Sequence, residues 1–105
     1  MFIAMNRFKI NPGAEEGFEK VWRERDTYLS EVEGFQSFAL LRGPLVEVPD
    51  GDDYVLYASH SIWASRSAFE NWTQSEYFRK AHAQASAPSG TYLGHPELET
   101  FEQVV

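Results

Sequence analysis

Cysteine is absent from this 105-residue chain. That absence removes disulfides, thiolate metal sites, iron–sulfur clusters and cysteine nucleophiles together, and it suits a reducing cytoplasm. Cations are scarce. Nine Lys and Arg against sixteen Asp and Glu leave a formal net charge of −7, so the basic footprint of a nucleic-acid binder is missing. The longest apolar runs are only a few residues, too short for a membrane-spanning helix. The N-terminal Met1-Phe2-Ile3-Ala4-Met5-Asn6-Arg7 opens directly as strand-like sequence, without a charged leader or cleavage site, and a cytoplasmic location is expected. Walker loops, G-x-S-x-G elbows, dinucleotide fingerprints and paired-carboxylate motifs are also missing. Aromatic residues are abundant: 15% Phe, Trp and Tyr gives a small chain unusual capacity for flat apolar surfaces.

The length fits one domain over residues 1–105. Phe2 to Ile10 reads as a strand with Phe2, Ala4, Asn6, Phe8 and Ile10 on one face. Asn11-Pro12-Gly13 predicts an N-cap with proline at the first helical position. An amphipathic helix carrying Phe18, Val21, Trp22, Arg25 and Leu29 would then run to Gly34. Phe35 to Arg42 and Tyr54 to Trp63 read as a hairpin with a long acidic loop. Ser65 caps a second helical stretch that is recapped at Gln74-Ser75-Glu76 and therefore broken or kinked there. Residues 85 to 96 are rich in small residues, proline and glycine, and predict a mobile loop or lid. A last strand begins at Glu97. The order β-α-β-β-α-β is the ferredoxin-like arrangement of the α+β class, a four-stranded antiparallel sheet with both helices on one face. Val55, Tyr57 and Trp63 on one side of the third strand, and Tyr54, Leu56, Ala58 and Ile62 on the other, leave neither side made for water. A homodimer through the helix-free sheet faces, forming an α/β barrel, is the natural cover. The space between each sheet and its own helices is then the candidate pocket.

Three residues stand out for chemistry. Asn6 interrupts an apolar strand face, and a desolvated amide there must find a partner, whether a ligand, a neighbouring backbone group or a water. His82 follows Phe78 by four residues on the apolar side of the last helical stretch, where an imidazole could be a metal ligand or an ordinary core histidine. Trp72, three residues after Phe69, could face the same pocket or simply fill core. Trp22 and Arg25 are three apart on the first helix, and the arginine could pair with a ligand carboxylate or snorkel to solvent. His60 and His95 make no tight spacing with His82, which gives little support to a mononuclear zinc site.

The segments Met5-Asn6-Arg7-Phe8, Glu33-Gly34-Phe35, Ser67-Ala68-Phe69-Glu70-Asn71-Trp72 and Phe78-Arg79-Lys80-Ala81-His82, with the aromatic third strand ending at Trp63, resemble the antibiotic biosynthesis monooxygenase superfamily. The resemblance is to its IsdG-type haem-degrading monooxygenases, covers nearly the whole chain, and rests most selectively on Asn6, Trp72 and His82. It implies haem as both substrate and cofactor, with no metal site independent of it. It also implies a dimeric barrel, an external electron donor or reductase, and opening of the porphyrin to a bilin-type product with release of iron. His82 would be the proximal iron ligand, Asn6 the distal hydrogen-bond donor and Trp72 the bulky residue pressing on the macrocycle, while Trp22, Arg25, Phe69 and Phe78 would line the pocket. The long acidic loop between the second and third strands and the segment from Ser86 to Pro96 depart from the best-known members. Two further readings use the same fold: a cofactor-independent quinol or polyphenol monooxygenase, and a non-catalytic module for haem or another hydrophobic ligand.

Overall fold

The computed structural model describes residues 1–84 and 86–105. Strand β1 spans Phe2–Ile10, helix α1 Glu15–Glu24, strand β2 Phe35–Val46 and strand β3 Tyr54–Trp63; helices α2 (Arg66–Thr73) and α3 (Glu76–Ala83) precede strand β4 (Glu97–Glu102). The sheet order is β2-β3-β1-β4, every pair antiparallel, which is the expected ferredoxin-like topology. Strand β1 alternates as predicted, burying Phe2, Ala4, Phe8 and Ile10 beneath the helices. Among the described residues no helix is long and apolar enough to cross a membrane.

The core on the helical face is split in two. Phe8, Ile10, Phe18, Val55 and Tyr57 pack under α1, while Phe2, Ala4, Leu29, Trp63 and Phe69 pack under α2. Between them the paired strands present Asn6 opposite Ser59, where small polar side chains leave volume that larger apolar ones would fill.

Several local expectations change. Asn11 does not cap α1. Its Nδ2 instead donates to the Gly90 carbonyl at 2.7 Å, and Ala14 occupies the cap position without a side-chain bond. Helix α1 stops at Glu24 rather than reaching Gly34, because Arg25 is extended (φ −83°, ψ 143°) and Leu29 reaches the core from a separate 3-10 turn, Leu29–Glu31. Strand β2 runs on to Val46, four residues past Arg42, with irregular register between Arg42 and Leu45 that carries the chain past Gly43 and Pro44. The second helical stretch is two helices. Ser65 accepts from the Ala68 amide and Ser75 from the Phe78 amide, each at 3.2 Å, so each serine satisfies an otherwise orphaned first-turn donor. Gly34 (φ +84°) sits against this corner, where a Cβ would lie 2.5 Å from that of Ala68.

The loop expected to be mobile is, from Gly90 to Leu93, tied to the end of β1. Asn11 N donates to Thr91 O at 3.0 Å, Leu93 N donates to Lys9 O at 2.8 Å, and Tyr92 bridges to Ile10. Ala85, which began the predicted loop, lies outside the described residues.

Extents of 42 × 33 × 18 Å describe one sheet with one helical layer. The opposite sheet face carries Ile3, Ile62 and Phe101 in one register row and Leu41 on β2, with Leu41 and Phe101 about half exposed.

Candidate functional site

A cavity of about 400 Å³ opens where the two clusters part, within the usual range for small-molecule pockets. Ala4, Asn6 and Phe8 of β1, Ser59 and Ser61 of β3 and Phe38 of β2 form its floor. Trp22 and Arg25 at the end of α1, followed by Thr27 and Leu29, make one wall. Phe69, Trp72 and Thr73 of α2 with Phe78 and His82 of α3 make the other, and Tyr92, Pro96 and Leu98 complete the lining. All seven residues singled out in the sequence therefore face one space. His60 lies on the opposite face of β3, and His95 borders a shallow recess on that same helix-free side with Arg7, Lys9 and Glu97.

The imidazole of His82 is oriented by its own helix. Its Nδ1 lies 2.8 Å from the Phe78 carbonyl, one turn back, and its ring stacks on Phe78 with centroids 3.8 Å apart. Because the carbonyl can only accept, Nδ1 is the donor of this bond, and Nε2 is the ring nitrogen left for a metal. Trp72 stands edge-on to Phe78 at 4.9 Å and packs 5.2 Å from Trp63, so the bulky indole is braced from behind by core.

Among the described residues, two buried nitrogens beside the cavity have no hydrogen-bond partner, the indole Nε1 of Trp72 and the Nε of Arg25. Asn6 is half-buried on the cavity floor. Arg7, Arg23, Arg42, Arg66 and Arg79 each meet a carboxylate, which leaves Arg25 as the one arginine of the chain without an acidic partner among the described residues. Its guanidinium instead lies 4.1 Å over the Trp22 ring, itself stacked on Phe38 at 5.5 Å. Burial lowers the Arg25 pKa, partly offset by attraction to Tyr92. Burial likewise raises the Tyr92 pKa, partly offset by Arg25. Such unsatisfied groups cost free energy, and both belong to residues that line the cavity.

Sequence reasoning missed Phe38, Ser59, Ser61, Thr27 and Tyr92. Ser59 and Ser61 share the parity of Tyr57 and Trp63 and were legible from strand alternation. Tyr92 carried only the signal of an isolated aromatic residue in a stretch of small ones.

The model of the antibiotic biosynthesis monooxygenase family matches residues 1–84. The chain belongs to this family. It is 31% identical over 90 residues to a heme-degrading monooxygenase from Listeria welshimeri, covering 80% of this chain and 71% of that protein. Among solved structures it resembles the heme-degrader MhuD from Mycobacterium tuberculosis, determined with two hemes in its active site (26% identity, TM-score 0.72, all of this chain and 97% of that one). It also shares its fold with SnoaB, a cofactor-independent oxygenase from Streptomyces nogalater (22% identity, TM-score 0.65, 97% of this chain and 91% of that one).

Proposed function

We propose that this protein is a haem-degrading monooxygenase that opens the porphyrin of bound haem and releases iron and a bilin-type product. The observation that carries the reading is His82, whose Nδ1 is committed to the Phe78 carbonyl, which leaves Nε2 for iron at the wall of an aromatic cavity. The residues fit the group: flat apolar walls for the macrocycle, one imidazole, and a cation that meets no carboxylate among the described residues for an anionic substituent. Similarity to a heme-degrading relative and to a heme-bound neighbour supports the same reading.

When bound, haem supplies the iron that activates O₂ and is itself the ring that is oxidised, with electrons from an external donor. The chain's own residues bind and orient. His82 would offer a ring nitrogen to the iron, and Asn6 on the cavity floor would offer an N–H donor to a ligand held above it. Trp72, braced by Trp63, resists displacement and presses against a flat ligand. Arg25 binds a carboxylate, and Trp22, Phe69 and Phe78 exclude water. The bare sheet face, with Phe101, Ile3 and Ile62 aligned, pairs with a second copy to form the barrel. A cysteine-free chain suits the reducing cytoplasm in which such a reaction would run.

The test is titration of the ligand-free protein with ferric haem, followed by ascorbate or a reductase in air. Saturable binding, bleaching of the Soret band and iron release are expected. His82→Ala should lose the imidazole-ligated spectrum, whereas Asn6→Ala should keep binding and lose turnover. Stable binding without bleaching would indicate a non-catalytic haem module, and no saturable binding would favour a quinol or polyphenol substrate.

A further inference from the structure

Helix α3 carries the proposed iron ligand, yet of its eight residues only Ala81 is buried. Phe78 and His82 look into the cavity rather than into packed core. Something besides core packing must hold this helix end in register with the facing wall, and the side chain of Gln84, immediately after the helix, does so. Its Oε1 accepts from the Asp26 amide at 3.1 Å while its Nε2 donates to the Asp26 carbonyl at 3.3 Å. One side-chain amide therefore satisfies both backbone polar groups of a residue 58 positions away in the chain. The same Nε2 donates to Lys80 O at 3.2 Å and lies 3.5 Å from the Tyr28 hydroxyl. A ring contact between Tyr28 and Tyr77, centroids 6.2 Å apart, supports the junction beside it.

Asp26 is no arbitrary attachment point. It follows Arg25, where α1 ends, and precedes Thr27 and Leu29, which also line the cavity. Its carboxylate accepts from the Tyr28 amide at 2.8 Å, and Tyr28 holds a left-handed backbone (φ 56°), a conformation that a non-glycine residue keeps only where its surroundings enforce it.

The geometry points to Gln84 as a positioning residue for the haem site: its amide clasps the segment that follows α1 to the end of α3 and thereby sets the distance between the His82 imidazole and the Arg25 wall. The assignment rests on the haem reading for its consequence, though the clasp itself is a property of the ligand-free protein. Without it, α3 keeps Ala81 and its serine cap but loses its polar link to the opposite wall, and the His82 ring nitrogen would be presented over a range of positions.

Gln84→Met keeps the length of the side chain and removes both hydrogen-bonding groups, and Gln84→Glu keeps an acceptor for the Asp26 amide but cannot donate to the carbonyl. Amide hydrogen exchange on the ligand-free proteins reads the clasp directly. The Asp26 amide should be protected in the parent and exchange roughly tenfold faster in Gln84→Met, with Gln84→Glu closer to the parent. With ferric haem bound and no reductant present, transfer of haem to an excess of a scavenging apoprotein should also be about tenfold faster in Gln84→Met. After anaerobic reduction, its iron–histidine vibrational band should broaden. Equal Asp26 protection in parent and Gln84→Met overturns the clasp. A released Asp26 amide with unchanged haem transfer and an unchanged iron–histidine band overturns the positioning role. A parent that binds no ferric haem saturably overturns the haem reading and the positioning role with it, and the exchange result then stands as evidence for the clasp alone.

Discussion

The two sides of α1 treat polar groups in opposite ways. On the side away from the cavity, Glu19 gathers the Tyr57 hydroxyl at 2.5 Å, Arg42 at 3.2 Å and Arg23 at 3.7 Å, so each group in the cluster has a partner. On the cavity side, Arg25 and Trp72 keep buried nitrogens without a hydrogen-bond partner among the described residues. The aromatic residues divide similarly. Phe18 is fully buried between Phe8 and Tyr57, with centroids 5.3 and 4.9 Å away, whereas Phe78 stacks on a histidine exposed at the cavity wall. A satisfied cluster stabilises the fold as it stands. An unsatisfied one spends stability to keep a surface ready for a ligand.

Truncating each region should break the contrast most visibly. Phe18→Ala should cost about 3–5 kcal/mol, because the packed layer cannot collapse onto the void. Phe78→Ala borders space that is already open and should cost about 1 kcal/mol while weakening haem binding. Chemical denaturation of both variants gives the comparison, and equal losses would erase the distinction between core and site.

Tyr57→Phe should come next, at about 1–3 kcal/mol, since it removes the hydroxyl from a part-buried hydrogen bond to the charged Glu19. Burial, reinforced by the bond to Glu19, pushes the Tyr57 pKa up to about 12. A raised pKa means the folded state holds this proton more tightly than the unfolded chain does. Its stabilisation is therefore complete below the ordinary tyrosine pKa of about 10 and is lost as pH climbs from there to about 12. Stability measured across that window should fall for the parent and fall less steeply for Tyr57→Phe.

The smallest effect on stability should carry the opposite sign. Arg25→Met removes a half-buried charge that has no carboxylate, keeps apolar contact with Trp22, and should stabilise the ligand-free protein by about 1 kcal/mol. Haem affinity should drop about tenfold in the same variant, through the lost charge-assisted contact. Thermal denaturation and haem titration of one preparation test both halves. A variant less stable than its parent would show that Arg25 belongs to the satisfied class after all.

Much of this arrangement was legible in the residues. The bounds of β1 and β3 follow from alternation, and Ser65 and Ser75 announced two helix starts because a serine hydroxyl before a helix answers a known shortage of acceptors. Two-residue and three-to-four-residue periodicities allowed Asn6, Trp22, Arg25, Phe69, Trp72, Phe78 and His82 to face one cavity, and the family resemblance chose that reading over core or solvent. The early end of α1 was not legible. Its pattern of apolar residues continues to Leu29, but the Asp26 peptide is taken up by Gln84, a competitor far along the chain. Asn11 misled for the same reason: a good capping residue in sequence, it bonds to Gly90 instead, 79 positions away.

The sequence by itself therefore determined the order of elements, which face of each strand is apolar, and which residue types could meet haem, because these depend on near neighbours and on side-chain chemistry. Only the tertiary structure decided that Asn6 and Ser59 stand side by side and part the core, that Tyr92 is brought to the cavity by the segment tied to β1, and which arginine meets no carboxylate among the described residues. Those outcomes turn on competition between groups distant in the chain for the same hydrogen bond or the same volume, and that competition is settled only when the chain is folded.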